Sequence, residues 1–203
     1  MDEYYLEENK KNSFMGIDFE QQLDVQTRTI YFLDEINEET YRRFCFFFNR
    51  LDSSKGDINI HLTSVGGDVG LALAMYDLVT HAKNLVIIKC YGYVYSAATI
   101  LLQASPVRLV AEECRFLIHD VSGAVGYQKH HDLVLDAKEI QYLANRLINI
   151  YQKHSNLSKK QIVRFLKSQT YLGAKEALRY RLVDGFIEHF IDQEEVVNKS
   201  NRK

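Results

Sequence analysis

The run Leu85-Val86-Ile87-Ile88-Lys89-Cys90 is short and nearly continuous in apolar side chains, and Gly92 follows it closely. A segment of this length reads as a strand, and apolar residues at successive positions leave it little polar face. The expectation is a strand buried on both faces. Such a strand belongs in an α/β fold with parallel pairing.

The flanking segments agree. Thr27–Leu33 is β-branched and aromatic, and Asp57–Thr63 alternates with Ile58, Ile60 and Leu62 on one side. Val107–Val110 and Arg115–His119 are further short strands. Helical patterns separate them. Asn37 can cap a helix whose buried stripe is Tyr41, Phe44, Cys45, Phe48 and Leu51, and Leu71 to Val79 forms another. Ser96–Leu102 is a compact apolar helix stopped near Pro106. Asp132 opens the longest helix, with Leu133, Ala137, Ile140, Ala144, Leu147 and Tyr151 on one side. Ser158 caps a helix to about Ser168, and Ala174–Tyr180 is the last. There is one proline, no linker composition and no internal repeat. The expected organisation is an arm or loop over residues 1–26, one domain over 27–190, and a polar, disordered tail over 191–203.

Bulk properties narrow the class. A formal net charge of −2 gives no basic excess, so nucleic acid is not an expected partner. Cys45, Cys90 and Cys114 are scattered, which fits free thiols in a reducing compartment. No apolar run approaches the ~20 residues a membrane helix requires, and the polar N-terminus has no apolar signal region. The expectation is a soluble cytoplasmic protein without a membrane partner.

Three features fall at strand ends, where α/β sheets gather ligands. Gly66-Gly67 follows the Asp57–Thr63 strand and permits a close backbone approach, or simply a tight strand-to-helix turn. Its spacing is not GxGxxG. Ser96 follows a strand and a glycine at the start of a helix, like a nucleophile elbow, although GxSxG is absent. There the Ala97 N–H would be free for an oxyanion. Taken alone, such a serine is more often an ordinary helix cap. Among seven histidines, only His119 closes an apolar strand run. Serine and histidine together at strand ends bring a Ser–His pair level with the structural alternatives.

TSVGGDVGLALAMYD, GYVYSAATILLQA, FLIHD and YLGAKEALRYRLVDGFI occur in this order, and together the sequence resembles the ClpP family, the proteolytic subunits of Clp proteases. The resemblance runs from Thr27 to Glu188. It implies the ClpP/crotonase-like fold, a repeated β-β-α superhelix with a protruding handle. It implies Ser96 as nucleophile, His119 as base, and Gly67 and Ala97 as oxyanion donors. It also implies polypeptide substrates and a homo-oligomeric ring, heptameric or two stacked heptamers. A Clp ATPase unfoldase would be the partner, and the subunit itself would need no metal or organic cofactor. SGAVGYQ and the long helix after Asp132 would form the handle through which rings meet.

The sequence departs from the family pattern at named positions. Gln169 stands where the third triad member is an aspartate, and Tyr95 stands where the residue before the serine is small. Lys167-Ser168 replaces a glutamate–arginine pair associated with ring contacts, Val65 replaces a proline, and Asp120-Val121 replaces Gln-Pro. These departures motivate an alternative, a catalytically degenerate ring subunit. A crotonase-type acyl-CoA enzyme shares the fold, but the placement of Ser96 and His119 argues against it.

Overall fold

Strand β5 (Val86–Tyr95) is the member of the sheet on which the others converge. The computed structural model describes residues 17–18, 22–122 and 129–188. SGAVGYQ beyond Ser122, most of the expected arm and the polar tail lie outside these residues. In chain order, β1 (Ile17–Asp18), β2 (Leu23–Asp24) and β3 (Thr29–Phe32) precede α1 (Glu38–Asp52), β4 (Ile58–Ser64), α2 (Val69–Thr80) and β5. Then come α3 (Ala98–Ala104), β6 (Val107–Val110), β7 (Arg115–Ile118) and α4 (His130–His154). Helix α5 (Lys159–Lys167), β8 (Thr170–Gly173), α6 (Ala174–Arg179) and β9 (Gly185–Phe186) complete the order. The fold is mixed α/β. Its strands run β1-β2-β3-β4-β5-β6-β9, with β7 also on β5 and β8 on β7.

Pairing is parallel from β3 through β4, β5 and β6 to β9, while β1–β2–β3 and β7–β8 are antiparallel. Strand β5 extends beyond the expected Cys90 because it changes neighbours. Ile87–Cys90 pairs with β6, and Tyr93–Tyr95 pairs with β7. The change occurs at Gly92, whose φ of 59° lies in the left-handed region. There the β4–β5 register jumps from Leu62 opposite Cys90 to Ser64 opposite Val94, a bulge that bends the strand. The Thr63 hydroxyl donates to the Tyr91 carbonyl across it (2.9 Å).

The apolar run is not buried on both faces, contrary to its composition. Val86, Ile88 and Cys90 are buried, whereas Ile87, Lys89 and Tyr91 are half-buried. The buried face joins one continuous core with the helices. The opposite face carries Tyr31, His61 and Tyr91 in a row, with successive ring centroids 5.0 and 5.1 Å apart, so rings shield it in place of a helix.

Helix α1 begins at Asn37 with reciprocal side-chain bonds to Thr40, which satisfy otherwise orphaned donors. Its buried stripe is Phe44, Phe47, Phe48 and Leu51, while Tyr41 and Cys45 are only half-buried. The helix is thus rotated toward Phe47, which buries a ring in preference to a thiol. Helix α4 buries Leu147, Ile148, Ile150 and Tyr151 near its C-terminus. Its earlier turns project, with Leu133, Val134, Leu135 and Tyr142 exposed.

A charged group ties the far end of the sheet together. The nearly buried Arg108 of β6 donates to both Asp184 carboxylate oxygens (2.7 and 2.9 Å), to the His154 carbonyl (2.9 Å) and to the Gln103 side chain. Removing one partner strands a buried charge. Asp184→Ala is therefore expected to lower unfolding free energy by about 3 kcal/mol. Urea denaturation checks this, and an unchanged midpoint would show the pair to be energetically idle.

Candidate active site

Where β5 ends, Ser96 takes φ = 55° before α3 starts at Ala98. A serine rarely occupies this region unless its surroundings hold it there. Here both backbone polar groups are held. The Ser96 N–H donates to the Leu117 carbonyl of β7 (2.8 Å), and its own carbonyl accepts from the Thr99 N–H (3.0 Å) and the Thr99 hydroxyl (2.5 Å). Ser96 lies outside the helix expected to begin with it. The N-cap position is Ala97, and no side chain caps α3. The half-buried Ser96 hydroxyl has no hydrogen-bond partner among the described residues. The ordinary-cap alternative is thereby removed, since a cap would bond to the helix N-terminus.

The Gly66-Gly67 loop lies directly against this turn. A Cβ built on Gly66 would stand 2.7 Å from the Ser96 Cβ and 2.8 Å from the Ala97 nitrogen, closer than real side chains approach. The loop is strapped in place by Ile36, whose N–H donates to the Gly66 carbonyl (2.7 Å) and whose carbonyl accepts from the Asp68 N–H (2.9 Å). These bonds flank Gly67 and leave its own N–H unused. Among the described residues, neither the Gly67 N–H nor the Ala97 N–H has an internal acceptor. Two open donors beside an unengaged serine can stabilise negative charge developing on a carbonyl oxygen.

His119 follows the last residue of β7. The β5–β7 register sets Tyr95 opposite Leu117, so the ends carrying Ser96 and His119 are adjacent. The half-buried His119 ring makes no hydrogen bond among the described residues, and in particular none to the Ser96 hydroxyl. Such bonds often tighten only when substrate is bound. The adjacent Asp120 is otherwise engaged, its carboxylate accepting from the Val121 N–H (2.9 Å).

Gln169 comes to the same end of the sheet. The antiparallel β7–β8 register pairs Ile118 with Thr170, and one further step sets His119 opposite Gln169. The chain turns there, with Gln169 at φ = 46°. Its side chain is exposed and has no hydrogen-bond partner among the described residues.

Sequence reasoning did not find Thr99 and Tyr151 at this site, nor the contact between Gly66 and Ser96. It also missed that Tyr95 joins an aromatic row. The Tyr95 ring lies 5.2 Å from that of Tyr93 and 5.8 Å, edge-on, from that of Tyr171. The signal available was the spacing of Tyr93 and Tyr95, which puts both on one strand face.

A family model described as Clp protease matches residues 13–190. The ATP-dependent Clp protease proteolytic subunit of Deinococcus radiodurans is 31% identical over 135 residues, covering 65% of this chain and 65% of that protein. The aligned part therefore spans just under two thirds of that relative's length. Among solved structures, an asparagine-to-aspartate mutant of ClpP1 from Listeria monocytogenes matches with a TM-score of 0.73 and 26% identity. That match covers 80% of this chain and 92% of the other.

Proposed function

Because the chain belongs to the Clp protease family, we propose that it is a serine endopeptidase subunit that cleaves unfolded polypeptides inside a ring assembly. The observation that carries this reading is the Ser96 turn, a hydroxyl without a hydrogen-bond partner among the described residues, beside the Gly67 and Ala97 N–H donors that are likewise unpaired there. Ser96 Oγ attacks the scissile carbonyl while His119 takes its proton. The Gly67 and Ala97 N–H groups hold the oxyanion. His119 then protonates the leaving amine, and water releases the acyl group by the reverse use of the same residues. The Gln169 side-chain carbonyl serves as acceptor for the far imidazole N–H, which orients the ring without supplying charge.

The assembly is a heptameric ring or a stack of two, fed by a Clp ATPase that unfolds the substrate. The exposed apolar turns of α4 serve as the handle that meets the facing ring. The subunit uses no metal or organic cofactor of its own, and it works in the cytoplasm. Among the described residues no helix is long and apolar enough to cross a membrane.

A second reading, a degenerate ring subunit that shapes an assembly, draws on the missing Ser96–His119 bond and the neutral Gln169. Hydrolysis of an unstructured polypeptide by the purified protein decides between them. The peptidase reading expects cleavage that Ser96→Ala abolishes. A native mass of a closed ring with no cleavage, alone or with an unfoldase, supports the degenerate reading.

A further inference from the structure

The buried side of the Ser96 turn carries a polar chain that the peptidase mechanism leaves unused. Thr99, in the first turn of α3, and Tyr151, near the end of α4, are both buried, and their hydroxyl oxygens lie 2.5 Å apart. The Thr99 hydroxyl also sits 2.5 Å from the Ser96 carbonyl. Counting protons fixes the direction of this chain. A carbonyl can only accept, so the single Thr99 hydroxyl proton goes to Ser96, and Tyr151 must donate to Thr99. Burial pushes the Tyr151 phenol up to about 12, although its bond to Thr99 pulls the other way, so it keeps its proton at neutral pH.

The consequence reaches the site through one peptide unit. The Ser96 C=O and the Ala97 N–H belong to the same planar trans peptide and point in opposite directions. Whatever holds the carbonyl toward the interior thereby aims the N–H outward. The Thr99 N–H bond alone leaves that plane free to rock about one contact. The second bond from the hydroxyl, itself held by Tyr151, adds a second point of attachment.

We propose that Thr99 and Tyr151 are positioning residues, a buried hydroxyl clamp that aims the Ala97 N–H at the oxyanion. This rests on the reading of Ser96 as the nucleophile. It also makes the α4 helix a supporting part of the site, since Tyr151 belongs to the helix whose other end projects from the fold.

The test uses Tyr151→Phe, Thr99→Val and Thr99→Ser in the assembled full-length protein. Removing an oxyanion donor outright costs roughly 10²–10³ in kcat, so mis-aiming one should cost less, on the order of tenfold for Thr99→Val and about threefold for Tyr151→Phe. KM for a short peptide should stay within about twofold, because the donor acts on charge that develops after binding. Thr99→Ser keeps the hydroxyl and should restore kcat, which a role in packing alone would not predict. The double variant should lose no more than Thr99→Val alone, since both changes break one chain.

Hydrogen exchange over residues 96–101 provides a readout independent of catalysis. It should rise in Thr99→Val and Tyr151→Phe, return in Thr99→Ser, and leave residues 58–62 of β4 unchanged. Unchanged exchange at the turn overturns the proposal. So does raised exchange with wild-type kcat, because the clamp would then hold the turn without aiming the donor. If wild-type protein hydrolyses nothing, the peptidase reading fails, and exchange alone decides whether the clamp exists.

Discussion

Aspartate in place of Gln169 raises kcat for peptide hydrolysis by at least about tenfold, with a ceiling near the 10⁴ that a carboxylate-to-amide change costs in a chymotrypsin-like triad. In the proposed mechanism the imidazolium formed when His119 takes the serine proton needs a negative neighbour, and an amide carbonyl offers only a dipole. The backbone at residue 169 suits the change. The β7–β8 register continued past Ile118 and Thr170 sets residue 169 opposite His119. Its left-handed φ of 46° is a conformation that aspartate tolerates better than most residues. Gln169→Asn is the control, because it shares the size of aspartate but not its charge, and it should give no such gain. Steady-state kinetics of the folded variants check the prediction. An aspartate variant of unchanged assembly and unchanged or lower kcat means that residue 169 does not act on His119.

Gly66→Ala should abolish the reactivity of Ser96, lowering its rate of modification more than about 10²-fold, as expected when reacting groups are displaced by a fraction of an ångström to an ångström. The added methyl would lie 2.6 Å from the Tyr95 carbonyl oxygen, 2.7 Å from the Ser96 Cβ and 2.8 Å from the Ala97 nitrogen. The last two atoms belong to the proposed nucleophile and oxyanion donor, and Gly66 is at φ = 92°, which an L side chain resists. Gly67→Ala meets a different obstacle, the Ile36 backbone that straps the loop. It should therefore cost stability first, on the order of 3 kcal/mol, and reactivity as a consequence. Comparing modification rates with melting temperatures for both variants separates these effects. Wild-type reactivity in a folded Gly66→Ala protein would remove the loop from the site.

Some of this was legible in the residues, for reasons that differ by element. The Val107–Val110 strand and the helix after Ser158 emerge as expected, because their boundaries are set by side chains acting locally. Ser158 accepts from the Gln161 N–H, and no distant contact is needed to place that cap. Strand β5 was legible only to Cys90. Its continuation through Tyr93–Tyr95 depends on a partner, β7, that hydrophobic periodicity cannot identify. The burial of its Leu85–Cys90 stretch was misjudged for a related reason. Composition cannot distinguish a face covered by helices from one shielded by the rings of Tyr31, His61 and Tyr91.

At the site, Ser96 and Gly66-Gly67 stood out as residue types at strand ends, yet serine had an equally ordinary meaning until its left-handed turn was seen. The family motifs, rather than any spacing, linked Gln169 to His119, since the antiparallel β7–β8 pairing that makes them neighbours joins segments about fifty residues apart. The Tyr151–Thr99–Ser96 chain left no sequence signal. Tyr151 reads simply as one more apolar position on a helical stripe.

The measurement that tests the proposed nucleophile most directly is covalent labelling of the assembled protein with a fluorophosphonate, followed by mass mapping of the adduct. The account predicts one phosphonyl group per labelled subunit, on the peptide that contains Ser96. Labelling should be lost in Ser96→Ala and strongly slowed when His119 is replaced by alanine. A folded, ring-forming protein that takes no label, or takes it at another serine regardless of Ser96, would contradict it.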